Sequence, residues 1–143
     1  MPRIELWMTL LAGLAGGLAG VLWSGLVTTP WLAPGGDAAA AKGQGETAAR
    51  LFVEAALRAA AGAALGFLFW LGWGLIAVVG WPWYATGLLF GGLCWVAIAA
   101  PVLATLLLHG RAQARPVAAH AVEWLVACLS VGLLCALAWH RYA

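Results

Sequence analysis

The sequence predicts an all-α integral membrane protein: four transmembrane helices in an antiparallel bundle, with helix two extended beyond the bilayer. Of the 143 residues, 65% are hydrophobic and only 8% are charged. A soluble domain carries about a quarter charged residues, so this composition cannot cover a water-soluble surface. The apolar runs are long and unbroken, whereas the strands of a membrane β-barrel alternate in polarity.

Four apolar runs reach the length of about 20 residues that a helix needs to cross a bilayer. They lie at 6–27, 59–79, 84–108 and 117–139. Because they occupy most of the chain, we expect one four-span transmembrane domain over residues 1–143 and no separate soluble domain.

The first run separates small residues from large ones. At about 100° per residue, its glycines fall on one side of a helix and its leucines on the other. Small residues let helix backbones approach closely in a membrane. We therefore predict a helix-packing face made of Gly13, Gly16, Gly17, Gly20 and Ser24.

The second helix is expected to begin near Thr47, after a loop rich in proline and glycine. Acidic and basic residues then alternate every four positions, which predicts the ion pairs Glu46–Arg50 and Glu54–Arg58. The opposite side carries a second predicted packing face, formed by Ala59, Gly62 and Gly66.

The connection Gly80-Trp81-Pro82-Trp83 is very short, so it predicts that helices two and three are antiparallel neighbours. In helix three, Gly87 and Gly91 predict a third packing face. Pro101 lacks a backbone N–H and is expected to bend this helix.

The candidate functional site lies near the start of helix four. Glu123 follows His120 by one turn, and Arg58 of helix two is expected at similar depth. His109, Arg111 and Arg115 lie in or beside the preceding loop. One interpretation is a carboxylate that shares a proton or binds a cationic group. The other is an ion pair stabilised by the positive end of the helix.

Trp70 and Trp95 are expected near the bilayer midplane, where they either line a site for an apolar ligand or fill space opposite glycines. Catalytic motifs such as HExxH and GxSxG do not occur. The three cysteines lie inside predicted spans without a CxxC pattern, which is typical of small buried side chains. We expect no enzyme activity, no cofactor and no metal.

Basic residues predict the orientation. The segments 28–58 and 109–116 hold five of the seven, and the remaining two flank the first and last spans. We expect these segments to be cytoplasmic and both termini to lie outside, in a bacterial-type inner (plasma) membrane.

These observations favour a non-catalytic protein of the lipid bilayer that acts through helix–helix association, as an oligomer or as an accessory subunit of a membrane complex. The net charge of +2 is too small to favour nucleic acid binding. The alternative is a small transporter or carrier of a hydrophobic compound that uses Trp70, Trp95 and Glu123.

Overall fold

The protein, for which a computed structural model was obtained, is helical in every long segment that the structure describes. The description covers residues 6–28, 44–76, 80–108 and 114–142. In chain order, the helices are α1 (Leu6–Trp23), α2 (Gln44–Ile76), α3 (Trp83–Cys94), α4 (Ala100–Leu108) and α5 (Ala114–Tyr142). A π-helical turn, Ser24–Thr28, continues α1, and a second one, Trp95–Ala99, joins α3 to α4.

Four helical stretches within this part of the chain are long and apolar enough to cross a membrane: Leu6–Val27, Leu51–Gly72, Trp83–Leu108 and Pro116–Arg141. They pack together, and the predicted fold class is confirmed. The second span begins at Leu51, earlier than the 59–79 run suggests, and therefore includes Glu54 and Arg58. Residues 77–79 lie outside the described residues. At 33 residues, α2 exceeds its 22-residue span.

Helices α1 and α2 pack with their backbones in contact. A Cβ atom added to Gly13 would overlap the carbonyl oxygen of Gly62, and one added to Gly17 would overlap that of Arg58. On the α2 side of this interface, a Cβ added to Gly66 would lie 3.3 Å from the Cα of Gly13. Only glycine fits at these positions, so residues on both helices fix the approach.

Helix α1 uses a second glycine face against α5. A Cβ on Gly16 would lie 2.6 Å from the Cα of Val131, and one on Gly20 would lie 2.8 Å from the Cβ of Ala127. Near the far end of the same interface, the thiol of Cys135 donates a hydrogen bond to the carbonyl oxygen of Thr9, at 3.5 Å. Helix α1 is therefore held between α2 and α5.

Helix α3 packs on another side of α5, again through glycine. A Cβ on Gly87 would lie 2.9 Å from the Cα of Leu133, and one on Gly91 would lie 2.8 Å from the Cα of Leu129. On α5, Gly132 meets the carbonyl oxygen of Gly87. Helix α5 thus contacts α1, α2 and α3 and forms the centre of the bundle.

The structure differs from the expectation that helices two and three pack as neighbours. Helices α2 and α3 make only a small contact, which includes the edge-to-face pair Phe69–Phe90 with ring centroids 4.9 Å apart. Phe69 also meets Trp139 of α5, at 6.4 Å. Gly87 and Gly91 of α3 fit against Gly132 of α5, and this contact sets the packing direction of α3.

The third span is irregular on the N-terminal side of Pro101. The backbone N–H of Ala100 donates to the carbonyl of Trp95, five residues earlier, as a π-helical turn requires. Further on, the hydroxyl of Thr105 donates to the carbonyl oxygen of Pro101, at 2.7 Å. The span therefore consists of α3, which is anchored on α5, and α4, in which no residue is buried.

Gly62→Ala should weaken the bundle, because its Cβ would overlap the backbone of α1. We expect a loss of about 1–3 kcal/mol in the free energy of unfolding, as is usual for overpacking. The matched control is Gly72→Ala in the same helix, where a Cβ meets nothing within 4 Å. It should be neutral or slightly stabilising, by up to about 1 kcal/mol. Unfolding in mixed micelles measures both, and equal effects would contradict the α1–α2 interface.

Candidate functional site

A buried ion pair joins α2 to α5. The Nη2 atom of Arg58 donates to Oε2 of Glu123 over 2.6 Å, and the two side chains are only 7% and 1% exposed. Each residue lies about two helical turns, or about 10 Å, inside the nearer end of its span. Charged groups at such depth are costly unless they are paired, which makes this pair the first candidate for a functional site.

Arg58 has a second acidic partner on its own helix. The same Nη2 atom donates to Oε1 of Glu54 over 3.0 Å, as the spacing of four residues predicts. The Glu54 side chain is 40% exposed. One guanidinium group therefore lies between a half-exposed carboxylate and a buried one.

His120 connects the buried carboxylate to the exterior of the bundle. Its Nδ1 atom lies 3.0 Å from Oε2 of Glu123, the oxygen that also accepts from Arg58. The two residues are one turn apart on α5, and the His120 side chain is 54% exposed. A proton on Nδ1 completes this hydrogen bond.

Neighbouring residues make room for the guanidinium group of Arg58. A Cβ on Gly20 of α1 would lie 3.2 Å from its Nη1 atom, so a larger side chain at that position would displace it. On another side, the carbon of the guanidinium group lies 5.5 Å from the ring centroid of Trp124. An indole face attracts a cation at this distance. Three helices and one aromatic ring thus surround the charge.

The predicted site residues fall into separate groups. Arg58, His120 and Glu123 are brought together, whereas Trp70 and Trp95 are not part of their cluster. The predicted packing glycines lie in the three helix interfaces described above, with Ala59 half-buried on α2 and Ser24 at the start of the first π-helical turn. The positions proposed for His109, Arg111 and Arg115 concern side chains outside the described residues.

The two tryptophans predicted to share a site belong to different surroundings. The indole N–H of Trp95 donates to the carbonyl oxygen of Ala121, at 2.9 Å, and ties the third span to α5. Trp70 stacks on Phe67 of its own helix, with centroids 6.2 Å apart and rings inclined by 18°. Trp70 is about three turns, or about 18 Å, along α2 from Arg58.

Glu54, Arg58, His120 and Glu123 form a polar cluster. The sequence alone did not place Trp124 beside this cluster, and it did not show that Gly20 leaves space for the guanidinium group. The sequence held only a weak signal, since Trp124 directly follows Glu123 but points to a different side of the helix. The packing of α2 against α5 brings Arg58 onto the ring. Among the described residues, no group of three or more His, Cys, Asp and Glu side chains is placed to hold a metal ion. Cys128 and Cys135 are buried free thiols, and Cys94 is half-buried.

Comparison of the chain with protein-family models, with curated proteins and with solved structures finds no match. The function must therefore be argued from the geometry of this chain.

Arg58→Met should destabilise the protein by about 3–5 kcal/mol, because it leaves the buried carboxylate of Glu123 without its guanidinium partner. The double variant Arg58→Met with Glu123→Leu should recover most of this loss, since an apolar pair of similar volume has no charge to bury. A double-mutant cycle of unfolding free energies checks both. Strictly additive losses would show that the two residues do not interact.

Proposed function

We propose that this chain is a non-catalytic, multi-pass membrane protein that acts by lateral association in the bilayer, as an oligomer or as an accessory subunit of a membrane complex. The proposal is supported by the distribution of small residues. Some of them contact other helices of the bundle, and others are exposed on its surface. The proposal includes an inner (plasma) membrane location with the segments that precede the second and fourth spans in the cytoplasm. Residues 51–58, which the sequence assigned to the first of these segments, belong to the Leu51–Gly72 span.

The glycine faces are occupied within the chain itself. Gly16 and Gly20 contact α5, Gly13 and Gly17 contact α2, and Gly87 and Gly91 of α3 contact α5. A partner helix could reach these residues only if the bundle opened. Association must therefore use a different surface.

The observation that carries the proposal is an outward-facing row of alanines on α2. Ala56, Ala60 and Ala64 are exposed and follow one another at intervals of four residues. At about 100° per residue they lie within about 80° of one another, on the side of α2 away from Arg58. Ala60 is close to the middle of the Leu51–Gly72 span. A surface that faces only lipid has no need of small residues.

Larger side chains border this alanine row and give it the shape of a notch. Val53 and Leu57 are exposed towards the N-terminal end of α2, and Phe67 and Leu71 towards the C-terminal end. Phe67 is supported by its stacking on Trp70. The backbone of another transmembrane helix can approach α2 closely at the notch, as small-residue contacts in membranes allow.

The buried carboxylate favours a second candidate function. Glu123 is 1% exposed and contacts the half-exposed His120, an arrangement suited to a carrier that binds a proton or a cationic group. Trp70 and Trp95 have different neighbours, so a site lined by both tryptophans is less well supported than a site at Glu123. The carrier would be favoured if vesicles that contain the folded Glu123→Gln variant no longer take up a hydrophobic compound that vesicles with the parent chain take up.

Ala60→Leu should weaken association, because the larger side chain fills the notch. Overpacking a close contact costs about 1–3 kcal/mol, so we expect an association constant that is roughly tenfold lower. Ala104→Leu is the matched control, since Ala104 is also exposed but lies on α4. Energy transfer between labelled chains in vesicles measures self-association, and co-purification measures a heterologous partner. If both variants associate as the parent chain does, the α2 notch is not the interface.

A further inference from the structure

The polar cluster holds one arginine between two carboxylates. Arg58 Nη2 donates to Glu54 and to Glu123, so these three side chains together carry one negative charge when both acids are ionised. No other charged side chain faces the cluster from the first or third span, since Leu6–Thr28 and Trp83–Leu108 contain no Asp, Glu, Lys, Arg or His. One proton taken up by Glu123 would make these three side chains neutral together.

His120 lies between that carboxylate and the nearer end of the span. It is about 6 Å inside Pro116–Arg141, almost one turn closer to that end than Glu123. Glu123 is buried, whereas the His120 side chain is 54% exposed and its Nδ1 atom lies 3.0 Å from Glu123 Oε2. Histidine is the side chain that exchanges protons most readily near neutral pH. Its second ring nitrogen, Nε2, can take up a proton while Nδ1 stays hydrogen-bonded to Glu123.

We propose that Glu123 is a proton-binding site and that His120 carries its proton to and from the aqueous phase. A hydronium ion gives a proton to Nε2 of His120 and becomes water, while Nδ1 passes its own proton to Oε2 of Glu123. The ring ends neutral with its proton on Nε2, and Glu123 becomes an uncharged carboxylic acid. The reverse steps release the proton.

Glu54 makes this exchange compatible with the buried guanidinium group. When Glu123 becomes neutral, Arg58 still has a carboxylate partner 3.0 Å away on its own helix. Without Glu54, the same step would leave a buried cation without a counter-charge, which is strongly unfavourable. The cluster thus changes from one cation with two carboxylates to a single ion pair beside a neutral acid.

This site is independent of the notch on α2, because Arg58 and Ala60 lie on opposite sides of that helix. Loss of association in Ala60→Leu would leave the proton-binding site intact. Loss of proton binding would equally leave the association surface unchanged.

Infrared spectroscopy of the full chain in lipid vesicles tests the proposal. As the bulk pH is lowered, we expect a C=O band of a protonated, buried carboxyl group that is missing in Glu123→Gln. After transfer to heavy water, the band should shift more slowly in His120→Gln, by about tenfold or more, because its aqueous route is removed. His140→Gln is the matched control: His140 stacks on Trp83 near the opposite end of α5 and should leave the exchange rate unchanged.

Glu54→Gln tests the role of the second carboxylate. In this variant the band should need a lower pH to reach the same intensity. The side chains of His120 and Glu54 are 54% and 40% exposed, so both variants should fold, as tryptophan fluorescence and elution volume will show. The proposal is overturned if the folded parent chain gives no Glu123-dependent band, or if His120→Gln exchanges as fast as the parent.

Discussion

Direct contact between helix backbones is the interaction on which the rest of this bundle depends. Lipid tails are as apolar as leucine, so burial of apolar surface does little to hold helices together in a membrane, and close packing must do so instead. Glycines on α1, α2, α3 and α5 bring the backbones into contact. The spacing they set also decides whether the short carboxylate of Glu123 and the guanidinium group of Arg58 can meet.

The glycine contacts and the ion pair fix the same alignment of helices. Gly17 lies against the carbonyl of Arg58, and Gly20, one turn further, lies beside its guanidinium group. If α1 slid so that Ser24 took the place of Gly20, a larger residue would face the guanidinium group and crowd Arg58 beside Glu123. A buried ion pair gives little net stability, but here it disfavours alignments of α2 and α5 that separate Arg58 from Glu123. Apolar packing sets the distance between helices, and charge sets their register.

The sequence predicts the features that depend on one helix at a time. Counting along each span places Arg58 and Glu123 at equal depth, and helical periodicity identifies the small faces of the first three spans. The sequence does not show which of these helix faces pack against each other. Gly132, the residue against which α3 packs, is the single glycine in the described part of α5, so glycine spacing did not predict the α3–α5 interface. The signal was a row of small residues at intervals of four, Cys128, Gly132 and Ala136. The short connection at 80–83 favoured an α2–α3 pair that the packing does not form along its length.

The central position of α5 bears on the order in which the protein can be assembled. Helices α1 and α2 can pair as soon as both have been synthesised, because each carries its own half of the glycine contact. Helix α3 has little to pack against until α5 follows it in the chain. During that interval Arg58 is in the bilayer with Glu54 as its acidic partner, before Glu123 exists. Insertion of the fourth span then supplies the contacts that α1, α2 and α3 each make with α5. Folding in the membrane therefore ends with the packing of α5 in one step rather than with the gradual addition of contacts.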